Sequence, residues 1–397
     1  MIEIPFSPPD IKAEDIEAVV ATLKSGWITT GPKTKEFERE IARYCGTGKA
    51  VCLSSATAGM ELILRVLGIG PGDEVITSAY TYTASASVIC HVGATPILID
   101  VAPNSYHIDI DQLEKAITSK TKAIIAVDIG GIMCDYDKIL EAVNNVKYRF
   151  SADSTLQQAL GRVTVIADAA HSLGASYKGE KSGKVADFSS FSFHAVKNLT
   201  TGEGGAVTWK SQSSIDDEAL YKQFMLLALH GQSKDALTKT KLGSWEYDIL
   251  MTGYKYNMTD IMAAFGLTQL RRYETILTKR ESLAELYNQL LEDSCVNVLK
   301  HRQEDSLSSF HLYIVSLVNK DEKSRNKIIE EMAKSGIATN VHYKPLPMFS
   351  AYKKMGFHIE EYPHAYEMYK REITLPLHTL LKTEEIIYIT ETLKSLL

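Results

Sequence analysis

Short apolar runs alternate with helical runs between Lys49 and Asp168, and that alternation leaves few folds open. Residues 49–53, 74–77, 95–101, 122–128 and 163–168 read as strands. Residues 58–67, 84–91, 111–117 and 135–143 read as the helices between them. Strand–helix–strand repetition predicts a mostly parallel sheet with helices on both faces, an α/β architecture. In such sheets a ligand sits at the carboxyl ends of the strands. The residues just after each strand are therefore the first candidates for chemistry.

Two helical stretches precede this region. Ile16, Val19, Val20 and Leu23 recur at helical spacing, and a second amphipathic run covers about 35–44. The rhythm breaks at 144–162, a helix-to-strand connection expected to enter from the far edge of the sheet, away from the chemistry. From Thr259 the pattern changes to a long helical stretch reaching Glu292 with few breaks, then a strand-like run at 310–317 and a helix near 325–334. The expected division is a large domain, residues 1–250, and a smaller C-terminal α+β domain, 251–397.

At 397 residues, with 45% apolar and 23% charged positions, the chain is neither wholly disordered nor fibrous. Its net charge of −6 speaks against a general nucleic-acid binder, which needs a basic face. No segment approaches the ~20 apolar residues of a membrane span. The first ten residues lack the basic start and apolar core of a signal peptide. Five scattered cysteines form no CxxC pair, so neither a disulfide framework nor a zinc knuckle is expected, and no metal is. A cytoplasmic protein is the simplest reading.

Three places can carry chemistry. The run 163–168 ends in Asp168, with His171 three residues on. A carboxylate there faces the ligand crevice, although an aspartate there equally caps the next helix. Second, an aromatic and serine-rich strand, 188–193, leads to Lys197 and then to Gly202, Gly204 and Gly205. A lysine held between two strands near apolar walls can act as an amine nucleophile, although most lysines are solvated. Third, Ser54-Ser55-Ala56-Thr57-Ala58-Gly59 lies between a strand and a helix. Small and hydroxyl residues at a helix N-terminus suit a phosphate, or simply cap the helix. The glycines at 68, 70 and 72 come after a helix and read as a turn, not as a dinucleotide fingerprint.

Taken together and in that order, these elements resemble the fold-type-I enzymes that use pyridoxal phosphate (PLP). The resemblance narrows on six blocks. They are Ser25-Gly26-Trp27-Ile28-Thr29-Thr30-Gly31-Pro32, Ser54 to Met60, Gly72 to Ile76, Asp168-Ala169-Ala170-His171, Ser192 to Asn198, and Gly253 to Asp260. They are similar to the DegT/DnrJ sugar aminotransferases over about residues 5–378, and most similar to members acting on UDP-linked 4-keto sugars, including those that make 4-amino-4-deoxyarabinose.

The resemblance implies roles. Lys197 would bind the cofactor aldehyde covalently and shuttle the proton. Asp168 would pair with the pyridine nitrogen, and His171 would lie near the phenolic oxygen, where many members carry glutamine. Tyr82 would stack on the ring; a core aromatic is the plain alternative. Ala56 (backbone), Thr57 and Ser192 would hold the phosphate. Asn257 would reach that phosphate from a second subunit, making the site a property of a homodimer. Many members have arginine in that block, and here Lys255 could take over the contact. Trp27 and Thr29 would line the sugar-nucleotide entrance, and His342 would close the site from the small domain. Relatives with histidine for the lysine are dehydratases, and Lys197 speaks against that branch.

The implied reaction is PLP-dependent transfer of an amino group from an amino acid, glutamate, to a nucleotide-linked keto sugar, first of all C4 of a UDP-4-keto-6-deoxy-HexNAc. The alternatives are C3 or C4 transfer on a dTDP- or GDP-keto sugar, elimination on an amino acid, and a non-catalytic binding or regulatory protein on the same fold.

Overall fold

The computed structural model describes residues 3–234 and 245–397. Two helices come first, α1 (Ala13–Lys24) and α2 (Pro32–Cys45). The alternating section then runs β1 (Ala50–Leu53), α3 (Ala56–Val66), β2 (Glu74–Ser78), α4 (Ala84–His91), β3 (Thr95–Ile99), α5 (Ile110–Ala116), β4 (Thr121–Val127), α6 (Tyr136–Asn145), α7 (Thr155–Leu160) and β5 (Thr164–Asp168). A short hairpin, β6 (Ser176–Tyr177) and β7 (Glu180–Lys181), leads to β8 (Phe188–Ser192), β9 (Gly205–Trp209) and α8 (Asp217–Ala228). The remainder comprises α9 (Asp260–Arg271), α10 (Tyr273–Leu291), β10 (Val296–Val298), β11 (Ser306–Leu307), β12 (Tyr313–Leu317), α11 (Glu322–Lys334), α12 (Ser350–Lys354), α13 (Pro363–Lys370), β13 (Glu372–Leu375) and α14 (Thr383–Leu396).

The main sheet has seven strands in the order β1-β9-β8-β5-β4-β2-β3. β3, β2, β4, β5 and β8 pair in parallel, and β9 runs antiparallel to both β8 and β1. Alternation along each strand divides its side chains between two cores. Val51, Leu53, Val75, Ile125 and Ile166 pack with Leu62, Ile63 and Phe224 on the face covered by α3, α4 and α8. Cys52, Ile76, Ile124, Val165 and Phe191 pack with Phe37, Ile139, Val143 and Leu267 on the face covered by α2, α6 and α9. Burial on both faces is why the strands read as continuous apolar runs.

The expected long helix is two. Arg272, at φ −106 and ψ 12, separates α9 from α10. Ile276 still packs in the core of the main sheet, whereas Leu283, Ala284, Tyr287 and Leu291 pack in the second core with β10, β12 and β13. β13 went unpredicted because Glu372-Ile373-Thr374-Leu375 is too short for a period, and β12 is confined to Tyr313–Leu317. The N-terminal segment joins the second core, where Ile4 bridges to Ile337.

The interrupting stretch 144–162 folds into a single turn, Lys147–Arg149, and then α7. Ser154 Oγ and Gln157 Nε2 both donate to the Leu67 carbonyl at the end of α3, and Lys122 Nζ donates to the Ser151 carbonyl. These anchors lie at the starts of β4 and β5, opposite the strand ends that carry the candidate site.

Candidate active site

Lys197 sits in the segment joining β8 to β9. The segment is tied by its own backbone: Phe193 N–H donates to the Gly204 carbonyl, Thr201 N–H to the Phe193 carbonyl, and Lys197 N–H to the His194 carbonyl. Gly202 turns the chain at φ 82. The lysine is partly buried, and lost hydration brings its amine down to about 8, with Asp168 opposing that shift. Among the described residues its Nζ forms no ion pair.

Asp168 ends β5 and is buried. It accepts from Ser85 Oγ at 2.7 Å and from Ala170 N–H at 3.3 Å. Burial raises its carboxyl despite these donors and the nearby Lys197 charge. A buried acid in a polar cradle without a bound cation is built to meet a positive group.

His171 is also buried. Gly130 N–H donates to its Nδ1 at 3.3 Å, and its Nε2 lies 3.0 Å from the Tyr343 hydroxyl. Burial, then the Lys197 charge, hold the imidazole well below its usual range, so it is neutral. An acceptor at Nδ1 requires the proton at Nε2, which donates to the Tyr343 oxygen and leaves the Tyr343 O–H free to donate elsewhere. Gly130 is placed by a turn whose centre is Asp128, at the end of β4. Asp128 accepts from Cys134 N–H, the Tyr136 hydroxyl and Ser172 Oγ, and burial raises it to about 6.

The second core supplies the opposite wall. His342 carries the electrostatic influence of Lys197, its ring brought down to about 3 by burial. Its Nδ1 pairs with Thr374 Oγ1 at 2.9 Å, and its ring stacks on Phe6 at 5.6 Å. Tyr343 lies between Tyr82, at 5.9 Å between ring centroids, and His171. Tyr82 is 59% exposed, an aromatic face with room for a planar ligand.

The α3 N-terminus forms the third side. Ser55 caps it by accepting from Ala58 N–H, leaving Ala56 and Thr57 in the first turn. Ser190 Oγ donates to the Ala56 carbonyl at 2.8 Å, and Ser192 Oγ accepts from His194 N–H. Gly205 presses on this turn: a Cβ there would stand 2.4 Å from the Ser55 carbonyl carbon and 2.5 Å from Ala56 N.

Asn257 bridges to Leu53 beside this turn, with Nδ2 donating to Thr30 Oγ1. Its Oδ1 is buried without a partner. Trp27 and Thr29 belong to the same neighbourhood: Trp27 Nε1 donates to the Thr30 carbonyl, and Asp260 N–H donates to the Thr29 carbonyl. Thus Lys197, Asp168, His171 and His342 come together, with Tyr82 joined through Tyr343. Trp27 and Thr29 are tied instead to Thr30, which Asn257 touches, and to Asp260.

Sequence reasoning missed Tyr343, His311 and Asn198. His311 is buried, its ring lies tilted against His171 at 4.4 Å between centroids, and it pairs with Asn198 Oδ1 at 3.0 Å. It reads in sequence as part of an apolar strand. Arg280 holds it by donating to the Phe310 and His311 carbonyls. Tyr343 adjoins the nominated His342, so adjacency was the available signal.

These residues fit PLP. A buried acid, an amine of lowered basicity, an open helix turn for an anion and an exposed aromatic face match its ring nitrogen, aldehyde, phosphate and ring.

The family model described as the DegT/DnrJ/EryC1/StrS aminotransferase family matches residues 9–394. Spr1654 of Streptococcus pneumoniae, described as a "putative sugar aminotransferase" and solved in its PMP form, superposes with a TM-score of 0.97 at 56% identity, covering 99% of each chain. The same protein is also solved in its PLP form. The spore coat polysaccharide biosynthesis protein SpsC of Bacillus subtilis is 36% identical over 400 residues, 99% of this chain and 97% of its own. PseC of Helicobacter pylori, an aminotransferase involved in the biosynthesis of pseudoaminic acid, superposes with a TM-score of 0.86 at 28% identity, over 100% of this chain and 99% of its own.

Proposed function

Since the chain belongs to the DegT/DnrJ/EryC1/StrS aminotransferase family and is a PLP-dependent sugar aminotransferase, we propose that it carries an amino group from glutamate to C4 of a UDP-linked 4-keto-6-deoxy-HexNAc or a related UDP-4-keto sugar. The observation that carries the chemistry is the Lys197 amine, brought down to about 8 and set among Asp168 and the neutral His171, His311 and His342. The biosynthetic roles of SpsC and PseC support an amino-sugar product destined for a surface polysaccharide or glycan. Its synthesis is assigned here to the cytoplasm. Among the described residues no helix is long and apolar enough to cross a membrane. Transfer to C3 or C4 of a dTDP- or GDP-linked keto sugar is the alternative for the acceptor.

PLP, when bound, supplies an electron sink that stabilises a carbanion at the carbon gaining or losing nitrogen. Lys197 moves the proton at that carbon through Nζ, an amine basic enough to take it and acidic enough to return it near neutral pH. Asp168 would hold a cationic ring nitrogen by charge and hydrogen bonding. The N–H groups of the first α3 turn, with Thr57 and Ser192, would hold the phosphate. His171, fixed by Gly130 and Tyr343, presents one tautomer to the site, and Tyr82 would stack on the ring. His342 closes the site above Lys197, and Trp27 and Thr29 line the nucleotide entrance.

Asn257 reaches the phosphate of a second subunit's site through its amide N–H, which makes the site shared in a homodimer. Mixing Lys197→Ala with Asn257→Ala subunits tests this. A shared site regains activity in the mixed dimer, because one of its two sites draws an intact lysine and an intact asparagine from different chains. A site built within one chain regains none.

The test of the reaction is spectroscopic. Protein loaded with PLP shows a visible band that glutamate bleaches, and a UDP-4-keto sugar restores it. Recovery with dTDP-linked keto sugars alone reassigns the acceptor. A band that glutamate leaves unchanged overturns the donor.

A further inference from the structure

The mechanism leaves unused a buried acid behind His342. Glu372 opens β13, is fully buried, and forms no ion pair among the described residues. The nearest cation, Arg325, spends its guanidinium elsewhere: Nη1 donates to the Tyr369 and Glu372 carbonyls and Nε to Asn326 Oδ1. A buried carboxylate without a cation is costly, and the group takes its proton instead.

The neutral acid has one donor, and the contacts say where it lies. Glu372 Oε2 accepts the His342 backbone N–H at 3.0 Å, so Oε2 is the carbonyl oxygen. The remaining oxygen, Oε1, pairs with Thr374 Oγ1, and in the neutral acid it carries the proton and becomes the donor of that bond. With that hydroxyl oxygen accepting from the acid, its own proton points to its other neighbour, His342 Nδ1, at 2.9 Å. A ring that accepts at Nδ1 and is neutral carries its proton on Nε2. Nε2 has no hydrogen-bond partner among the described residues.

We propose that Glu372 and Thr374 are positioning residues that fix His342 as the Nε2–H tautomer, so that it presents a hydrogen-bond donor to an oxygen of the sugar-nucleotide beside Lys197. The raised carboxyl of Glu372, at about 8, supports the neutral acid at the head of this chain. Part of the inference, the donor's target, rests on the reaction proposed above; the tautomer does not. The arrangement differs from His171, where a backbone N–H does the same service at Nδ1.

The experiment is a long-range ¹⁵N–¹H correlation spectrum of the histidines in the full-length protein with PLP bound, in mildly acidic buffer, with His342 assigned by its absence in His342→Gln. The expected spectrum shows a protonated Nε2 and an unprotonated Nδ1. Glu372→Gln keeps that pattern, because its amide can place oxygen on the His342 N–H and nitrogen on Thr374. Thr374→Val loses it to a tautomer mixture, and Thr374→Ser keeps it. In turnover, Thr374→Val raises KM for the keto sugar about tenfold while the glutamate half-reaction stays within about twofold, as loss of one oriented donor predicts. A wild-type spectrum with the proton on Nδ1 overturns the proposal, as does a Thr374→Val spectrum unchanged from wild type. Should Thr374→Val fail to fold, the wild-type and Glu372→Gln spectra still decide. A fixed tautomer with an unchanged KM refutes the substrate contact alone.

Discussion

Gly205→Ala isolates the steric coupling between β9 and the α3 turn. The added Cβ meets three backbone atoms, the Ser55 carbonyl carbon at 2.4 Å, Ala56 N at 2.5 Å and the Phe191 carbonyl oxygen at 2.7 Å. Ordinary contact begins near 3.4 Å, so the turn and the strand must separate by about 1 Å. No side chain can rotate away, and Gly205 is paired on both sides, to Leu53 in β1 and Ser192 in β8. Overpacking of this kind costs about 1–3 kcal/mol. Its backbone does not require φ above zero, so the cost is steric rather than conformational. The displaced atoms belong to the turn assigned to the phosphate, and a shift near 1 Å spoils several N–H contacts together. The expected outcome is a midpoint in denaturant lowered by that amount and an affinity for PLP reduced at least tenfold. Titration of the apoprotein with PLP, followed by absorbance, measures the second quantity. Gly202→Ala, where nothing lies within 4 Å of the added Cβ, serves as the control: it strains φ but leaves the cradle in place. Cofactor affinity within threefold of wild type in Gly205→Ala would refute the assignment of the phosphate to the α3 turn.

Further outcomes rest on the same geometry. The rate at which apoprotein captures PLP should rise with pH and level off above about 8, because Lys197 attacks only as the free amine; a rate still climbing toward the ordinary lysine value of 10.5 contradicts the lowered basicity. Asp168→Asn should cut transamination at least a hundredfold yet leave the apoprotein as stable or more so at neutral pH. The sign comes from its raised carboxyl: the stability favouring the protonated folded form is full below 3.8 and is lost as pH rises through the folded value, and asparagine escapes that loss. Denaturant melts at two pH values measure it. Tyr343→Phe removes the acceptor of a buried imidazole N–H at 3.0 Å and should cost about 1–3 kcal/mol, read from the same melts, with slowed turnover.

Much of the chain's design is local and therefore readable in one dimension. Apolar period and turn residues specify where strands and helices lie, because each reports a face or a backbone angle of its own few residues. Asp168 at a strand end, Lys197 before a glycine turn, and Ser55 to Thr57 at a helix start are legible for that reason. The break at Arg272 is not, since the apolar period of α9 continues almost in phase into α10, and Tyr273 and Ile276 beyond it still pack in the core of the main sheet.

The surroundings of the lysine are a property of the folded chain. His311 looks like one more residue of an apolar run until Arg280 fastens its backbone and His171 packs against its ring. Tyr343 reaches His171 across 172 residues, and Glu372 and Thr374 reach His342 from 30 and 32 residues away, spans that no motif covers. The protonation states divide in the same way. An amino-acid type sets the ordinary range of a carboxyl, an amine or an imidazole, and burial against partners far away in the chain moves it. Residue order is enough to say which chemical groups stand at the ends of which strands. Which of them lose water, and so which are neutral, which donate and which accept, depends on packing between segments hundreds of residues apart.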